Sequence, residues 1–275
     1  MTLERIDTST DAWTADPRLA DYRVVRDPEL VKRSARFIAE GRLVARRLLV
    51  DSPLEALSVL LDETALPSMQ DALDARPDVP AYVVPRGALR ELAGWQFHQG
   101  CLAVGVRPAA RDVDQVLTAA GDPRLVVALD TVSNPDNVGA IFRSAAALGA
   151  GAVVLGPTCV SPLYRKAIRS SMGAALVLPF VHGPAWEESL AALKARGHAL
   201  LAMTPAEGSE SLEAVASDLG AETRRTLILG AEGDGLGEAS LAHADRLVAI
   251  AMDAGVDSLN VAAAAAIALY CLREA

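Results

Sequence analysis

Six short apolar runs in the second half of the chain constrain its fold more than any other feature. Each is almost continuously aliphatic: LVVAL, AVVL, ALVLPFV, HALLAM, TLIL and RLVAIAM, beginning at residues 125, 152, 175, 198, 226 and 246. Helical patterns such as VGAIFRSAAALG separate them. Continuous apolar strands alternating with helices are typical of a parallel sheet that is covered on both faces. In such α/β sheets ligands bind in loops at the carboxyl ends of the strands, so we expect the functional residues in those loops.

The composition predicts a folded chain with an aliphatic core. Hydrophobic residues make up 51% of the 275 residues, aromatic residues only 4%, and the mean hydropathy is +0.25. The three cysteines lie far apart and the four histidines lack metal-ligand spacing, which predicts a reducing compartment and no metal. An acidic start without an apolar run, and no apolar stretch of membrane-spanning length, predict a cytoplasmic protein.

The hydrophobic pattern changes near residues 108–122, which we predict to be a linker with a helical part from Val113 to Ala120. The linker separates a domain at 21–107 from a domain at 123–275, and residues 1–20 are predicted to be a flexible N-terminus. Within the first domain we predict a helix from Pro28 to Glu40, a strand in RLLVDS, a helix in PLEALSVLLDETAL, and strands in AYVVP and GCLAVGV. This alternation indicates a small α/β layer fold.

Positive charge is concentrated in two places, although the chain carries a formal net charge of −9. Between residues 32 and 47 a single acid, Glu40, accompanies six basic residues: Lys32, Arg33, Arg36, Arg42, Arg46 and Arg47. The first three are predicted to share one side of a helix. Near residue 165, Ser161-Pro162 is predicted to begin a helix that places Arg165 and Arg169 on one face beside Lys166. Each cluster is either a solvated helix face or a phosphate-contacting surface.

Three loops in the second half combine small polar residues with glycine. TVSNPDNVGAIFRSA, at residues 131–145, has turn chemistry around Asn137, and Arg143 can curl back over the loop. LGAEGDGLGE, at residues 229–238, holds four glycines and three acidic residues, among them Glu232, but does not match GxGxxG. In the segment at 250–272, Ser258 is predicted to cap an alanine-rich helix, with Asn260 inside its first turn.

These loops, in this order and spacing, resemble the three motifs of the SPOUT superfamily of methyltransferases, in its TrmH (SpoU) branch. NPDNVGAIFR resembles the first motif, LGAEGDGLG the second, and IAMDAGVDSLNVAAAAAIALY the third, so the similarity covers residues 123–275. The first half of the chain, residues 21–107, ending in HQGCLAVG, is similar to the ribosomal-protein-like RNA-binding domain often found ahead of this catalytic domain. The sequence departs from the family at Ala251, Ala262 and Cys271, where proline, serine and an acid are common.

The resemblance implies an α/β fold whose C-terminal parallel sheet is tied into a deep trefoil knot, and an obligate homodimer that completes each active site. It implies S-adenosylmethionine as the cofactor, bound by Leu229, Gly230, Ala231, Glu232, Gly233, Ile250, Met252, Ser258 and Leu259. The catalytic residues carried over from the motifs are Asn137, Arg143, Glu232, Ser258 and Asn260. We expect rRNA or tRNA to be bound by Lys32, Arg33, Arg36, Arg46, Arg165, Lys166 and Arg169.

We therefore predict an RNA ribose 2′-O-methyltransferase. A free arginine has a pKa above about 12, so we interpret Arg143 as a residue that binds a phosphate and stabilises the developing alkoxide, and not as a general base. Two alternatives stay open. One is a non-catalytic RNA-binding or ribosome-assembly protein of the same fold. The other is a small-molecule enzyme on a nucleotide-binding α/β fold, against which the absence of GxGxxG counts.

Overall fold

A computed structural model of the protein describes residues 3–23, 35–93, 100–183, 185–220, 222–233, 235–253 and 258–273. The chain forms two compact units. The first comprises Met1–Pro108 and Pro162–Val177, and the second comprises Ala109–Ser161 and Leu178–Ala275. This division differs from the predicted contiguous domains, because the segment 162–177 packs with the N-terminal part of the chain.

The first unit is built on a five-stranded mixed sheet with the order β1-β4-β3-β5-β2. Its strands are β1 (Leu3–Arg5), β2 (Arg36–Glu40), β3 (Ala56–Asp62), β4 (Ala81–Val84) and β5 (Cys101–Val106). β1, β4 and β3 run parallel, and β5 is antiparallel to both of its neighbours. The helices that the structure describes here are α1 (Arg42–Val50), α2 (Leu66–Ala75), α3 (Ala88–Ala93) and, from the second segment, α6 (Arg165–Ser170).

Three elements of the first unit were predicted wrongly from the sequence. Residues 36–40 form β2 and not the end of a helix, RLLVDS lies mostly in α1, and PLEALSVLLDETAL contains β3. Strand pairing decides these cases: β3 is a central strand, and a Cβ at Gly105 of β5 would lie 2.2 Å from the ring of Phe37 in β2. α1 buries Val44, Ala45, Leu48 and Leu49 at helical spacing. The strands AYVVP and GCLAVGV are confirmed.

Residues 3–20, predicted to be flexible, belong to the core of the first unit. β1 pairs with β4, and two 3₁₀ helices follow at Asp11–Ala15 and Pro17–Arg23. Three widely spaced apolar side chains of this region, Ile6, Trp13 and Leu19, are buried, together with Tyr22 just after it. Burial of such side chains contributes about 1.5–3 kcal/mol each. Their spacing gives no regular period, which is why the sequence indicated a flexible segment.

The second unit is built on a seven-stranded sheet with the order β10-β12-β9-β11-β6-β7-β8. Its strands are β6 (Leu125–Leu129), β7 (Ala152–Leu155), β8 (Phe180–His182), β9 (Ala199–Met203), β10 (Glu210–Ser211), β11 (Arg225–Leu229) and β12 (Arg246–Ala249). Every pairing is parallel. Each of the six apolar runs overlaps one of these strands, and β6, β7 and β11 are buried throughout, so the parallel α/β prediction is confirmed.

The helices described in the second unit are α4 (Val113–Ala119), α5 (Pro135–Ala147), α7 (Trp186–Ala195), α8 (Leu212–Asp218), α9 (Glu238–His243) and α10 (Val261–Leu272). The helix predicted within the linker is confirmed as α4. Asp112 and Gln115 cap its start by reciprocal hydrogen bonds. However, Val113, Val116 and Leu117 are buried in the core beside β6 and β7, so α4 is part of this unit and not a free connector.

Candidate active site

A cavity of about 550 Å³ lies in the second unit, where β9, β11 and β12 end. Its volume falls in the range of about 300–1,000 Å³ that is usual for small-molecule sites. The residues predicted from the sequence to bind the cofactor all line it: Leu229, Gly230, Ala231, Glu232, Gly233, Ile250, Met252, Ser258 and Leu259. Two loops that are separate in the sequence therefore form one site at the carboxyl edge of the sheet.

The sequence analysis missed a third wall of this cavity. Met203, Thr204 and Pro205, which lie at the end of β9 and just after it, line the cavity as well. The strand itself is predicted from HALLAM. Applying the rule of carboxyl-end loops to this strand would have found these residues, although Thr204 and Pro205 match none of the three motifs.

The glycine-rich loop between β11 and α9 folds back on itself. The Ala231 N–H donates to the Gly235 carbonyl at 3.0 Å, and the Gly235 N–H donates to the Ala231 carbonyl at 3.2 Å. A Cβ at Gly230 would lie 2.2 Å from the Gly235 carbonyl oxygen, so this closure requires glycine at 230. Gly233 and Gly235 have φ of 97° and 70°, in the left-handed region that favours glycine.

Asn260, and not Ser258, caps α10. The Asn260 side-chain oxygen accepts hydrogen bonds from the N–H groups of Ala262 and Ala263, at 2.9 and 3.3 Å. This corrects the prediction that Asn260 lies inside the first turn. Asparagine is among the best N-cap residues, because its short amide reaches N–H groups that have no partner within the helix. Ser258 is exposed and lines the cavity two residues earlier.

Because the helix holds the Asn260 oxygen, the Asn260 amide nitrogen turns toward two other predicted catalytic residues. It donates to Oδ1 of Asn137 at 3.2 Å and to Oε1 of Glu232 at 2.5 Å. Asn137 is buried on α5, whereas Glu232 is exposed in the glycine loop. A carboxylate only accepts and the amide NH₂ only donates, so the orientation of Asn260 is consistent at every contact. Three of the five predicted catalytic side chains therefore meet.

Arg143 lies apart from this cluster. α5 begins at the first motif, with Asn134 as its N-cap accepting from the Asp136 N–H at 2.9 Å and with Pro135 at the first helical position. Arg143 is exposed farther along this helix and does not line the cavity. Within the part of the chain that the structure describes, no hydrogen bond or ion pair engages its guanidinium.

Comparison with known proteins identifies the family. Residues 124–270, which include the three loops, match the model of the SpoU rRNA Methylase family. The chain belongs to the SpoU rRNA Methylase family. Membership confirms the resemblance predicted from the motifs, and with it the prediction of an RNA methyltransferase.

The similarity between this SpoU protein and its relatives extends over most of its length. An uncharacterized tRNA/rRNA methyltransferase of Mycobacterium tuberculosis is 40% identical over 260 residues, which covers 93% of this chain and 88% of the relative. The 23S rRNA (guanosine-2′-O-)-methyltransferase RlmB of Acinetobacter baylyi is 34% identical over 189 residues, with 67% and 74% covered. The SpoU methyltransferase AviRb of Streptomyces viridochromogenes, solved in complex with the cofactor AdoMet, has a TM-score of 0.78 at 24% identity, covering 94% of this chain and 97% of AviRb.

The residues of this SpoU protein that were predicted to contact RNA belong to its first unit, and several form ion pairs with aspartate or glutamate side chains. Arg36 pairs with Asp21. Arg46 donates from two nitrogens to the oxygens of Asp71, each at 2.5 Å. These hydrogen bonds raise the pKa of Arg46 and lower the pKa of Asp71. Arg36 lies on a strand, which corrects its predicted position on a helix face. Lys32 and Arg33 lie outside the described residues.

The second basic cluster of the SpoU chain surrounds a buried carboxylate. α6 begins at Arg165 with Tyr164 at its N-cap, which corrects the predicted start at Ser161-Pro162. Arg165 Nε lies 3.4 Å and Arg169 Nη1 lies 3.6 Å from the two oxygens of Glu40, so the arginines share a face, as predicted. Lys166 is exposed beside them. Two guanidinium groups therefore share one carboxylate.

Two other chemistries that polar side chains of the SpoU protein could support are metal binding and thiol reactivity. Among the described residues, no group of three or more histidine, cysteine or acidic side chains could hold a metal ion. Burial raises the pKa of the thiols of Cys101 and Cys159 to about 12 and about 11, so both stay protonated near neutral pH. The described part of the chain also contains no helix that is long and apolar enough to cross a membrane.

Proposed function

We propose that this chain transfers the methyl group of S-adenosylmethionine to a ribose 2′-hydroxyl of an RNA. The observation that carries the proposal is the position of Asn260. Its amide connects Glu232, in the loop that lines the cavity, with Asn137, on the helix that also bears Arg143. The names of two relatives agree with it, since RlmB is a guanosine-2′-O-methyltransferase and AviRb was solved with AdoMet.

S-adenosylmethionine fits the residues around the cavity. The folded glycine loop provides closely approachable backbone, and Leu229, Ile250, Met252 and Leu259 provide apolar contacts. A Cβ at Gly230 would break the turn that forms this wall. When bound, the cofactor supplies a methyl group activated by a positively charged sulfonium. The residues that would hold it are Leu229 to Gly233, Ile250, Met252, Ser258 and Leu259.

In this proposal Arg143 acts on the RNA. Its guanidinium is exposed and has no partner among the described residues, so it can form two hydrogen bonds with a phosphate beside the target ribose. A guanidinium has a pKa above about 12 and is a poor base at neutral pH. Its role is therefore to stabilise the negative charge that develops on the 2′-oxygen as the hydroxyl proton leaves. Asn137, Ser258 and Asn260 orient the ribose and the cofactor.

A ribosomal RNA is the acceptor that we propose, because the RlmB relative is named for 23S rRNA. Arg165, Lys166 and Arg169 would contact phosphates, together with Arg36 and Arg46 where RNA phosphates displace Asp21 and Asp71. Lys32 and Arg33 complete the proposed RNA-binding set.

A homodimer with a knotted C-terminal sheet in the cytoplasm belongs to the same proposal. On α10, Ile267 and Tyr270 are 38% and 60% exposed and lie three residues apart on one helix face. A second copy of the chain would cover this apolar pair. The knot is proposed from the family resemblance, and α10, the last helix, packs against α5. Light scattering on the purified chain tests the dimer, and a monomer that is active at all concentrations would contradict it.

The decisive experiment is methyl transfer from radiolabelled S-adenosylmethionine to rRNA and tRNA that lack the modification. We expect label in rRNA that survives alkali as a 2′-O-methyl dinucleotide, and a loss of about 100-fold or more in Arg143→Ala. Arg111→Ala, which removes an exposed arginine ahead of α4, is the matched control and should keep full activity. A chain that neither binds the cofactor nor labels either RNA class would favour the non-catalytic RNA-binding alternative, whereas cofactor binding without label would point to a narrower RNA substrate.

A further inference from the structure

Asp130 is a buried carboxylate that holds both ends of the glycine loop. It directly follows β6 and is 5% exposed. Its backbone N–H donates to the carbonyl of Leu229, where the loop begins, at 2.8 Å. Its Oδ2 accepts from the N–H of Gly237, where the loop ends, at 2.8 Å. A single residue from another strand therefore fixes the entry and the exit of the loop that lines the cavity.

Two further side chains fix this carboxylate. Ser240, in α9, donates its hydroxyl to Oδ2 of Asp130 at 2.6 Å and is itself fully buried. The indole N–H of Trp186, at the start of α7, donates to the Ser240 hydroxyl oxygen at 2.9 Å. Because an indole N–H only donates, the Ser240 proton must point to Asp130. The direction of every hydrogen bond from Trp186 to Gly237 is thus determined.

The space around Asp130 leaves little freedom for the loop exit. A Cβ at Gly237 would lie 3.1 Å from Oδ2 of Asp130, so a side chain there would require the carboxylate to shift by a few tenths of an ångström. Inside the protein, hydrogen bonds to a charged acceptor are strong, and an N–H or hydroxyl left without a partner is costly. Moving the loop exit would break both bonds to Oδ2 at once.

We propose that Asp130 is a positioning residue that sets the conformation of the glycine loop for S-adenosylmethionine. None of the three motifs includes it, and it does not line the cavity. The chain continues from Asp130 into the loop that leads to Asn137, so the same residue aligns the cofactor side of the site with the RNA side. This inference rests on the proposed use of the cavity for S-adenosylmethionine, but it does not depend on which RNA is methylated.

The test measures cofactor affinity calorimetrically in the full-length chain. Asp130→Asn keeps the side-chain shape but removes the charge, and we expect it to weaken S-adenosylmethionine binding about tenfold or more. S-adenosylhomocysteine should lose the same factor, because the loop position changes and not a contact with the methyl group. The rise in KM for S-adenosylmethionine should exceed any fall in kcat measured at saturating cofactor. The Gly237 amide should exchange its hydrogen faster.

Asp62→Asn is the matched control. Asp62 is also a buried aspartate at the end of a strand and accepts three hydrogen bonds, which within the described residues come only from Thr64 and Ala65. We expect Asp62→Asn to lower the melting temperature and leave cofactor affinity within twofold of the wild type. If Asp130→Asn fails to fold, Ser240→Ala, which removes one of the two bonds to Oδ2, provides the test and should weaken binding about threefold to tenfold.

The possible outcomes separate this inference from the proposed function. A folded Asp130→Asn or Ser240→Ala variant with wild-type cofactor affinity would overturn the positioning role. A wild-type chain that binds S-adenosylmethionine but methylates no RNA would overturn the proposed function, while the affinities of the variants still decide the role of Asp130. A wild-type chain that does not bind the cofactor would overturn both.

Discussion

Asp62 in the first unit and Asp130 in the second are both buried aspartates at the carboxyl end of a strand, yet their partners differ. Asp62 accepts hydrogen bonds from residues two and three positions later and thereby stabilises a local turn. Asp130 accepts from Gly237 and Ser240, which follow it by 107 and 110 positions. The same residue type in the same kind of position stabilises a turn in one unit and holds a functional loop in the other.

The comparison teaches where the sensitivity of each unit lies. In the second unit, hydrogen bonds between distant segments form the walls of the cavity, so a small change there alters ligand binding. In the first unit, the corresponding hydrogen bonds and side-chain contacts stabilise turns and the mixed sheet. An equally small change there alters the free energy of unfolding. Matched pairs of substitutions test this contrast.

The largest effect is expected from alanine at glycines whose added Cβ would meet a neighbour at 2.2 Å. In the second unit, Gly230→Ala places that Cβ against the Gly235 carbonyl and should disrupt the turn that closes the glycine loop. Overpacking costs about 1–3 kcal/mol, which corresponds to a loss of up to about 100-fold in affinity for S-adenosylmethionine. Calorimetric titration measures this affinity.

The control in the first unit is Gly105→Ala, whose Cβ meets the Phe37 ring at the same distance. The free energy of unfolding should fall by about 1–3 kcal/mol, with cofactor affinity unchanged in the folded protein. If both variants lost only stability, the contrast between the units would be wrong.

Removal of two helix caps gives the next largest effect. Asn260→Ala and Asp112→Ala each remove an N-cap side chain, and each should lower the free energy of unfolding by about 1 kcal/mol. Asn260→Ala also removes the contacts with Asn137 and Glu232. We therefore expect kcat to fall about tenfold or more in that variant alone. Equal activity of the two variants, measured by methyl transfer, would contradict a role for Asn260 beyond capping.

A smaller effect is expected for RNA binding by the first unit. Arg169→Ala removes a cation that shares Glu40 with Arg165, and it should weaken RNA binding severalfold. The slope of log affinity against log salt should fall by about 1. Arg46→Ala should change that slope less, because Asp71 already neutralises Arg46. Filter binding over a range of salt concentrations measures both variants, and equal slopes would remove α6 from the proposed RNA surface.

The smallest effect concerns the pH dependence of stability. Burial lowers the pKa of His198 below its ordinary value of 6.5. Below that pH the unfolded chain binds a proton that the folded chain does not bind until its lower pKa is reached. The stabilisation is therefore complete above the unfolded pKa and is lost as the pH falls toward the folded pKa. Urea denaturation at a series of pH values in this range measures how steeply the free energy of unfolding falls with falling pH. His198→Gln should make this fall shallower, and an unchanged fall would assign the pH dependence to other groups.

Most of the second unit could be predicted from its sequence. Every residue of β6, β7 and β11 is buried, and each strand contains an apolar run of at least three residues that local inspection finds. The motif residues of the cavity are likewise contiguous stretches of sequence. In the first unit, β2 and β3 could not be predicted in this way. β2 is a strand because it pairs with β5, more than sixty positions later, and short apolar runs do not distinguish a strand from a helix.

By itself, the sequence determined the family, the parallel sheet and the motif residues that line the cavity, because each depends on a contiguous pattern of residue types. The tertiary structure alone decided that Asn260 caps α10 while joining Asn137 to Glu232, and that Asp130 holds both ends of the glycine loop. The physical reason is that a hydrogen bond depends on distance and direction in space. Asp130 and Gly237 are more than a hundred positions apart. They reach hydrogen-bonding distance only when β6, which ends just before Asp130, pairs with β11, which leads into the loop that ends at Gly237.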